Sequence, residues 1–147
     1  MKNLTIIDKV FYLKRTPLFR MLTMEMLLPI ADKLTEVSFD KNDTIFEIND
    51  EAHRMYFILN GKVQISAPQI PSPVILENGG FFGDEGLFDD NKRAYNAVAM
   101  VDCDILTLTQ TNLITIISEY PSVALGFLSV FASCVPDRAK FFLKDAT

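Results

Sequence analysis

Residues 81–97 read Phe81-Phe82-Gly83-Asp84-Glu85-Gly86-Leu87-Phe88-Asp89-Asp90-Asn91-Lys92-Arg93-Ala94-Tyr95-Asn96-Ala97. Two glycines and a carboxylate stand just ahead of a short apolar segment, and an arginine followed by a small residue comes after it. Glycine lets the backbone approach a ligand closely and take dihedrals that other residues avoid. Successive N–H groups at the start of a helical turn make a concave cradle that attracts anions. Arg93 offers a planar fork for two oxygens of an anion, and Asp84 offers an acceptor for a sugar hydroxyl. The segment reads as a grip on one anion and one hydroxyl, held from positions about ten residues apart in sequence.

This stretch resembles the phosphate-binding cassette of the cyclic nucleotide-binding domain family. That family includes the regulatory subunits of cAMP-dependent kinase, the catabolite activator protein and cyclic nucleotide-gated channels. Its pattern is Phe-Gly-Glu, an apolar residue, Ala or Gly, Leu, a variable run, then Arg, Ala or Thr, Ala, and Thr or Ser. Here Phe82-Gly83-Asp84, Glu85, Gly86 and Leu87 are followed by Phe88 to Lys92 and then by Arg93, Ala94, Tyr95 and Asn96. The spacing from glycine to arginine fits the kinase-type cassettes with no gap. The resemblance implies that Phe82, Gly83, Asp84, Glu85, Arg93 and Ala94 form the ligand-binding set, with Arg93 on the phosphate and Asp84 on the ribose. A threonine at position 94 tends to favour cGMP in the family, so Ala94 points to cAMP, with cGMP as the alternative ligand.

Several departures from the pattern weaken the cassette. Asp84 keeps the charge of the family glutamate but is one methylene shorter, and a hydrogen bond weakens steeply with distance. Glu85 stands where the family has an apolar residue. Burial of an unpaired carboxylate is costly, so Glu85 is expected to turn outward or to pair with Lys92. Asp84, Glu85, Asp89 and Asp90 also outnumber Lys92 and Arg93, a local excess that opposes an anionic ligand. Two readings follow: a stand-alone bacterial sensor domain for cAMP that signals by moving its C-terminal helices, and a degenerate domain that binds no nucleotide and serves as a protein-interaction scaffold.

Outward from the cassette, strand patterns run from Glu36 to Thr109. Val37-Ser38-Phe39 alternates, and Thr44 to Ile48 follows a Lys-Asn-Asp turn. Met55 to Leu59 leads into Asn60-Gly61, a strong hairpin signal, with Lys62 to Ile65 as the returning strand. Val74-Ile75-Leu76 forms another strand, and Tyr95 to Val101 with Ile105 to Leu108 supply the last pair. Short strands at this spacing indicate a sandwich or barrel. Asn49 replaces a glycine usual in the family, which is mild because asparagine tolerates the left-handed conformation. The fold expected is mainly β with flanking helices: a jelly-roll-like β-roll (a double-stranded β-helix) of about eight strands. One domain of residues 1–147 is expected, with N-terminal helices over 1–35, the β-roll over 36–109 and C-terminal helices over 110–147.

At the N-terminus, apolar residues at helical spacing from Leu4 to Leu13 precede Thr16-Pro17, which ends the helix. Thr23 reads as the N-cap of a second helix running towards Leu34, with Pro29 a candidate kink. Helical pattern returns from Thr111 to Ser118, from Ser122 to Val135 and, after Pro136, from Ala139 to Lys144. The helix over 122–135 is apolar around most of its surface. It is expected either to pack on the barrel or to form a homodimer or partner face, anchored by Phe127 and Phe131.

Composition narrows the function classes. The chain has 147 residues, 49% hydrophobic and 22% charged, with a net charge of -5. That charge disfavours nucleic acid and membrane surfaces as partners. No signal peptide or spanning segment is read, so a cytoplasmic location is expected. Cys103 and Cys134 are read as buried thiols. His53 is the single histidine, read as exposed in a polar turn, so neither a histidine-rich metal site nor a nucleophile triad can be assembled. No enzyme activity, metal or cofactor is expected.

Overall fold

The computed structural model describes residues 3–16, 18–20, 22–88 and 92–132. Helix α1 (Ile6–Arg15) starts at Thr5, whose hydroxyl accepts the Asp8 N–H while the Asp8 carboxylate accepts the Thr5 N–H. This reciprocal cap satisfies donors that a helix start leaves without partners. Helix α2 (Met24–Lys33) follows Thr23 as expected, although the threonine side chain makes no capping bond, and the helix runs on past Pro29.

Eight strands follow among the described residues: β1 (Thr35–Phe39), β2 (Thr44–Phe46), β3 (Arg54–Asn60), β4 (Val63–Ser66), β5 (Val74–Leu76), β6 (Phe81–Phe82), β7 (Asn96–Ala99) and β8 (Cys103–Thr109). They form two four-stranded antiparallel sheets, ordered β1-β8-β3-β6 and β2-β7-β4-β5. This is the β-roll that the strand pattern implied. Three short helices complete the described chain: α3 (Glu85–Phe88) inside the cassette, then α4 (Gln110–Glu119) and α5 (Ser122–Ala132) after the roll.

The expected hairpin at Asn60-Gly61 does not form. Strand β3 pairs with β8 and β6, while β4 pairs with β7 and β5, so the chain changes sheet at this corner. The reason lies in β3 itself, which is apolar on both faces. Met55, Phe57 and Leu59 join the helices in one core cluster, whereas Tyr56 and Ile58 point into the roll. Such a strand needs a layer on each side, and β8, buried in the same way, is its natural neighbour. Strands β7 and β8, expected as a pair, also fall in opposite sheets.

Gly61 serves the corner rather than a hairpin turn. Its φ is 132°, its N–H donates to Asn78 Oδ1 at 2.8 Å, and an added Cβ would lie 2.5 Å from Cys103 Sγ and 3.0 Å from Cys103 Cα. Gly61→Ala is therefore expected to destabilise the fold by about 1–3 kcal/mol through overpacking and backbone strain. Urea unfolding of the two proteins measures this. Equal midpoints would mean the corner relaxes freely.

Helix α5 lies against α4, against Phe88 of α3 and against the turn that carries Phe19. Phe127 is 1% exposed and meets Phe19 edge-on at 5.2 Å and Phe88 at 5.5 Å. The expectation that Phe127 anchors a dimer is thus corrected, because its ring belongs to this chain's own core. Among the described side chains of the helix, Leu125 and Leu128 are the exposed large apolar ones. The side chains of Val130 and Phe131, Cys134, and the expected helix over 139–144 lie outside the described residues. Cys103 is a buried free thiol, as read.

Candidate functional site

The site is built on an aromatic floor inside the roll. Tyr56 and Phe82 stack at 5.0 Å, and Phe46 meets Tyr95 at 5.3 Å. Arg93 lies on this floor, its guanidinium carbon 4.2 Å from the centre of the Phe46 ring. A cation over an aromatic face is attracted by the ring quadrupole, more so when water is excluded. The backbone of Arg93 is pinned by two bonds of 2.8 Å, one from its N–H to Asp50 O and one from the Asn49 N–H to its carbonyl. Asn49 takes φ 74°, the left-handed conformation that asparagine was expected to tolerate in place of glycine. The long-range turn at Asn49-Asp50 thereby fixes where Arg93 enters the roll.

Arg93 is not a solvated loop residue; it is 2% exposed. Its Nη1 donates to Gly83 O at 3.0 Å and to Glu85 Oε1 at 3.2 Å, and its Nη2 donates to Arg54 O at 2.6 Å. Its Nε is buried with no partner among the described residues. A guanidinium carries five N–H donors, and a buried donor without an acceptor is costly. Two carbonyls hold the arginine, and its Nε is left without an acceptor among the described residues.

Gly83 makes this approach possible. Its φ is 77°, and an added Cβ would lie 2.9 Å from Arg93 Nη1 and 3.2 Å from Arg54 O. Its N–H donates to the Tyr95 hydroxyl at 2.8 Å, and that hydroxyl donates to Glu85 Oε2 at 3.2 Å. Burial pushes the Tyr95 hydroxyl well above its usual range, and the nearby Glu85 charge adds to the effect. Burial likewise raises Tyr56. Glu85 turns partly outward, its side chain 41% exposed, but it does not pair with Lys92, the other outcome the sequence led us to expect. It pairs with Arg93, because a buried guanidinium attracts the nearest carboxylate more strongly than an exposed lysine does.

The structure brings Phe82, Gly83, Glu85 and Arg93 into one contact network. Ala94 follows Arg93 on the exposed side, and its carbonyl accepts Gln69 Nε2 at 3.2 Å. Asp84 faces a different space, a groove of about 600 Å³ that it lines with Glu85, Phe88, Ile117, Phe127 and Leu128. Tyr95, Phe46 and Tyr56 were not read as site residues. Tyr95 carried a signal, since the family pattern has alanine there. The other two look like any inward strand residue, and only the sheet pairing gathers them.

Asp84 has a pH signature. Burial raises its carboxyl above the ordinary value of 3.8, helped by the Glu85 charge. The native state thus holds this proton more tightly than the unfolded chain does. Its charge costs stability at neutral pH, and that cost disappears as pH falls through the raised value towards 3.8. Asp84→Asn is expected to unfold at higher urea than wild type at pH 7, with the gap closing over that window. A variant no more stable at pH 7, or a gap independent of pH, would contradict this.

Among the described residues, no group of three His, Cys, Asp or Glu side chains is placed to hold a metal ion, and no helix is long and apolar enough to cross a membrane. His53 is exposed, near Glu51 at 3.2 Å.

The family model described as "Cyclic nucleotide-binding domain" matches residues 36–120. The chain is 29% identical over 121 residues to the "Global nitrogen regulator" of Synechocystis sp., covering 78% of this chain and 52% of that protein. It is 25% identical over 124 residues to the "Cyclic AMP receptor protein" of Thermus thermophilus, covering 82% and 57%. The solved N-terminal domain of a transcriptional regulator from Streptomyces coelicolor A3(2) superposes with a TM-score of 0.78 at 24% identity, covering 89% of this chain and 94% of that one. The chain spans about half the length of these two regulators. Other relatives are cyclic nucleotide-gated channels and a kinase regulatory subunit.

Proposed function

We propose, for a chain that belongs to the cyclic nucleotide-binding domain family, that it is a sensor domain binding cAMP in preference to cGMP. The observation that carries this reading is Arg93: a buried guanidinium, anchored by two carbonyls, with no partner for its Nε among the described residues, and packed against a glycine whose missing Cβ lets it approach. In this reading the anion takes Arg93, Ala94 adds no hydroxyl that would favour a guanine base, and Asp84 reaches the ribose only by turning out of the groove it lines. The cassette is coupled to the C-terminal helices. Phe88 of α3 packs on Phe127 of α5, and Gln110 at the start of α4 donates to Leu87 O at 3.3 Å. A shift of α3 on ligand binding is thereby passed to α4 and α5, which is the output of the sensor.

Calorimetric titration with cAMP and with cGMP tests the reading, with tighter binding of cAMP as the expected result. No heat with either nucleotide at millimolar concentration would favour the second reading, a scaffold that binds no nucleotide. One observation supports that alternative: the Glu85 carboxylate already neutralises Arg93.

A further inference from the structure

We infer that Glu85 is an internal stand-in for the ligand's anion, holding Arg93 and Tyr95 until a nucleotide displaces it and so setting the threshold of the sensor. The inference rests on the reading of Arg93 as the anion ligand given above. It starts from two departures from the family pattern that are separate in sequence and meet in space. Glu85 replaces an apolar residue and Tyr95 replaces alanine, and the two are bonded at 3.2 Å. One carboxylate oxygen accepts from Arg93 Nη1 and the other from the Tyr95 hydroxyl. Two oxygens on two donors is the arrangement that an anion with two free oxygens would take in the same place.

The two sides of the pair differ in accessibility. The side chain of Arg93 is 2% exposed, whereas that of Glu85 is 41% exposed. The arginine is fixed by Gly83 O and Arg54 O, so the carboxylate is the partner that can leave for water. Its departure frees an Nη1 N–H on a guanidinium whose Nε also has no partner among the described residues. Simultaneous occupancy is opposed by charge. Asp84 already sits beside Glu85, and one guanidinium cannot balance two carboxylates and a phosphate in a partly desolvated site. Glu85 is also the first residue of α3, so its release acts on the element that touches α4 and α5.

The size of the effect follows from competition. A carboxylate that occupies Arg93 about nine-tenths of the time lowers the apparent affinity for an external anion about tenfold. Calorimetry of the full chain with cAMP, for wild type and Glu85→Gln, reads this directly. The expected result is an affinity about tenfold higher in the variant. Equal affinities, or weaker binding by Glu85→Gln, overturn the inference while leaving the nucleotide reading intact. Absence of binding of cAMP and cGMP by both proteins removes the nucleotide reading itself, and the inference with it. Should the variant not fold alone, circular dichroism with saturating cAMP decides. Recovery of the fold shows the nucleotide replacing the lost carboxylate, and an unfolded chain in both conditions makes Glu85 a structural residue and overturns the stand-in role.

Discussion

Arg93→Ala is expected to weaken cAMP binding by about a hundredfold to ten-thousandfold. The site would lose two charge-assisted hydrogen bonds of about 1.5–3 kcal/mol each, where about 1.4 kcal/mol is one decade of affinity. The substitution also removes the donors to Gly83 O and Arg54 O and the cation above Phe46. A loss of stability is therefore expected beside the loss of binding, since stranding Glu85 and two carbonyls undoes a desolvated pair. Titration of the folded variant, checked by circular dichroism, separates the two effects. Arg93→Lys sharpens the result: it keeps a charge but not a planar fork, and it should recover only part of the affinity. Wild-type affinity in the alanine variant would show that Arg93 does not hold the ligand.

Phe127→Ala is expected to lower the stability of the domain by about 3–5 kcal/mol, the range for truncating a large aromatic in a packed core. The ring is buried and meets Phe19 and Phe88. Urea unfolding gives the value. A change below about 1 kcal/mol, within the range of ordinary surface substitutions, would mean that the ring is a surface residue after all. Because Phe88 belongs to the cassette helix, the same substitution should also weaken the coupling between ligand and α5.

Much of the fold could be read along the chain. Alternation from Val37 to Leu108 marks the strands, apolar residues at helical spacing from Leu4 to Leu13 mark the first helix, and Asn49 takes the left-handed turn that its side chain tolerates. These are local matters, set by sterics and short-range hydrogen bonds, and the residues concerned lie close in sequence. Gly83 and Arg93 were legible for a related reason, since a glycine and an arginine at a fixed spacing across one loop need no distant partner to be noticed. Asn60-Gly61 misled because its local chemistry suits a hairpin, while the two apolar faces of β3 call for a layer on either side.

What the sequence by itself determined was the kind of architecture and the address of the candidate site: a β-roll between helices, with a stretch from Phe82 to Ala94 that resembles the family cassette. What only the tertiary structure decided was the state of that site and the fate of α5. Glu85 is drawn onto Arg93 because the roll strips water from the guanidinium, an electrostatic consequence of burial that no spacing rule contains. Phe127 turns inward onto Phe19, from a distant turn, and Phe88, from the cassette. Burial and its effect on charge belong to the assembled molecule, since they depend on residues that the chain brings together only by folding.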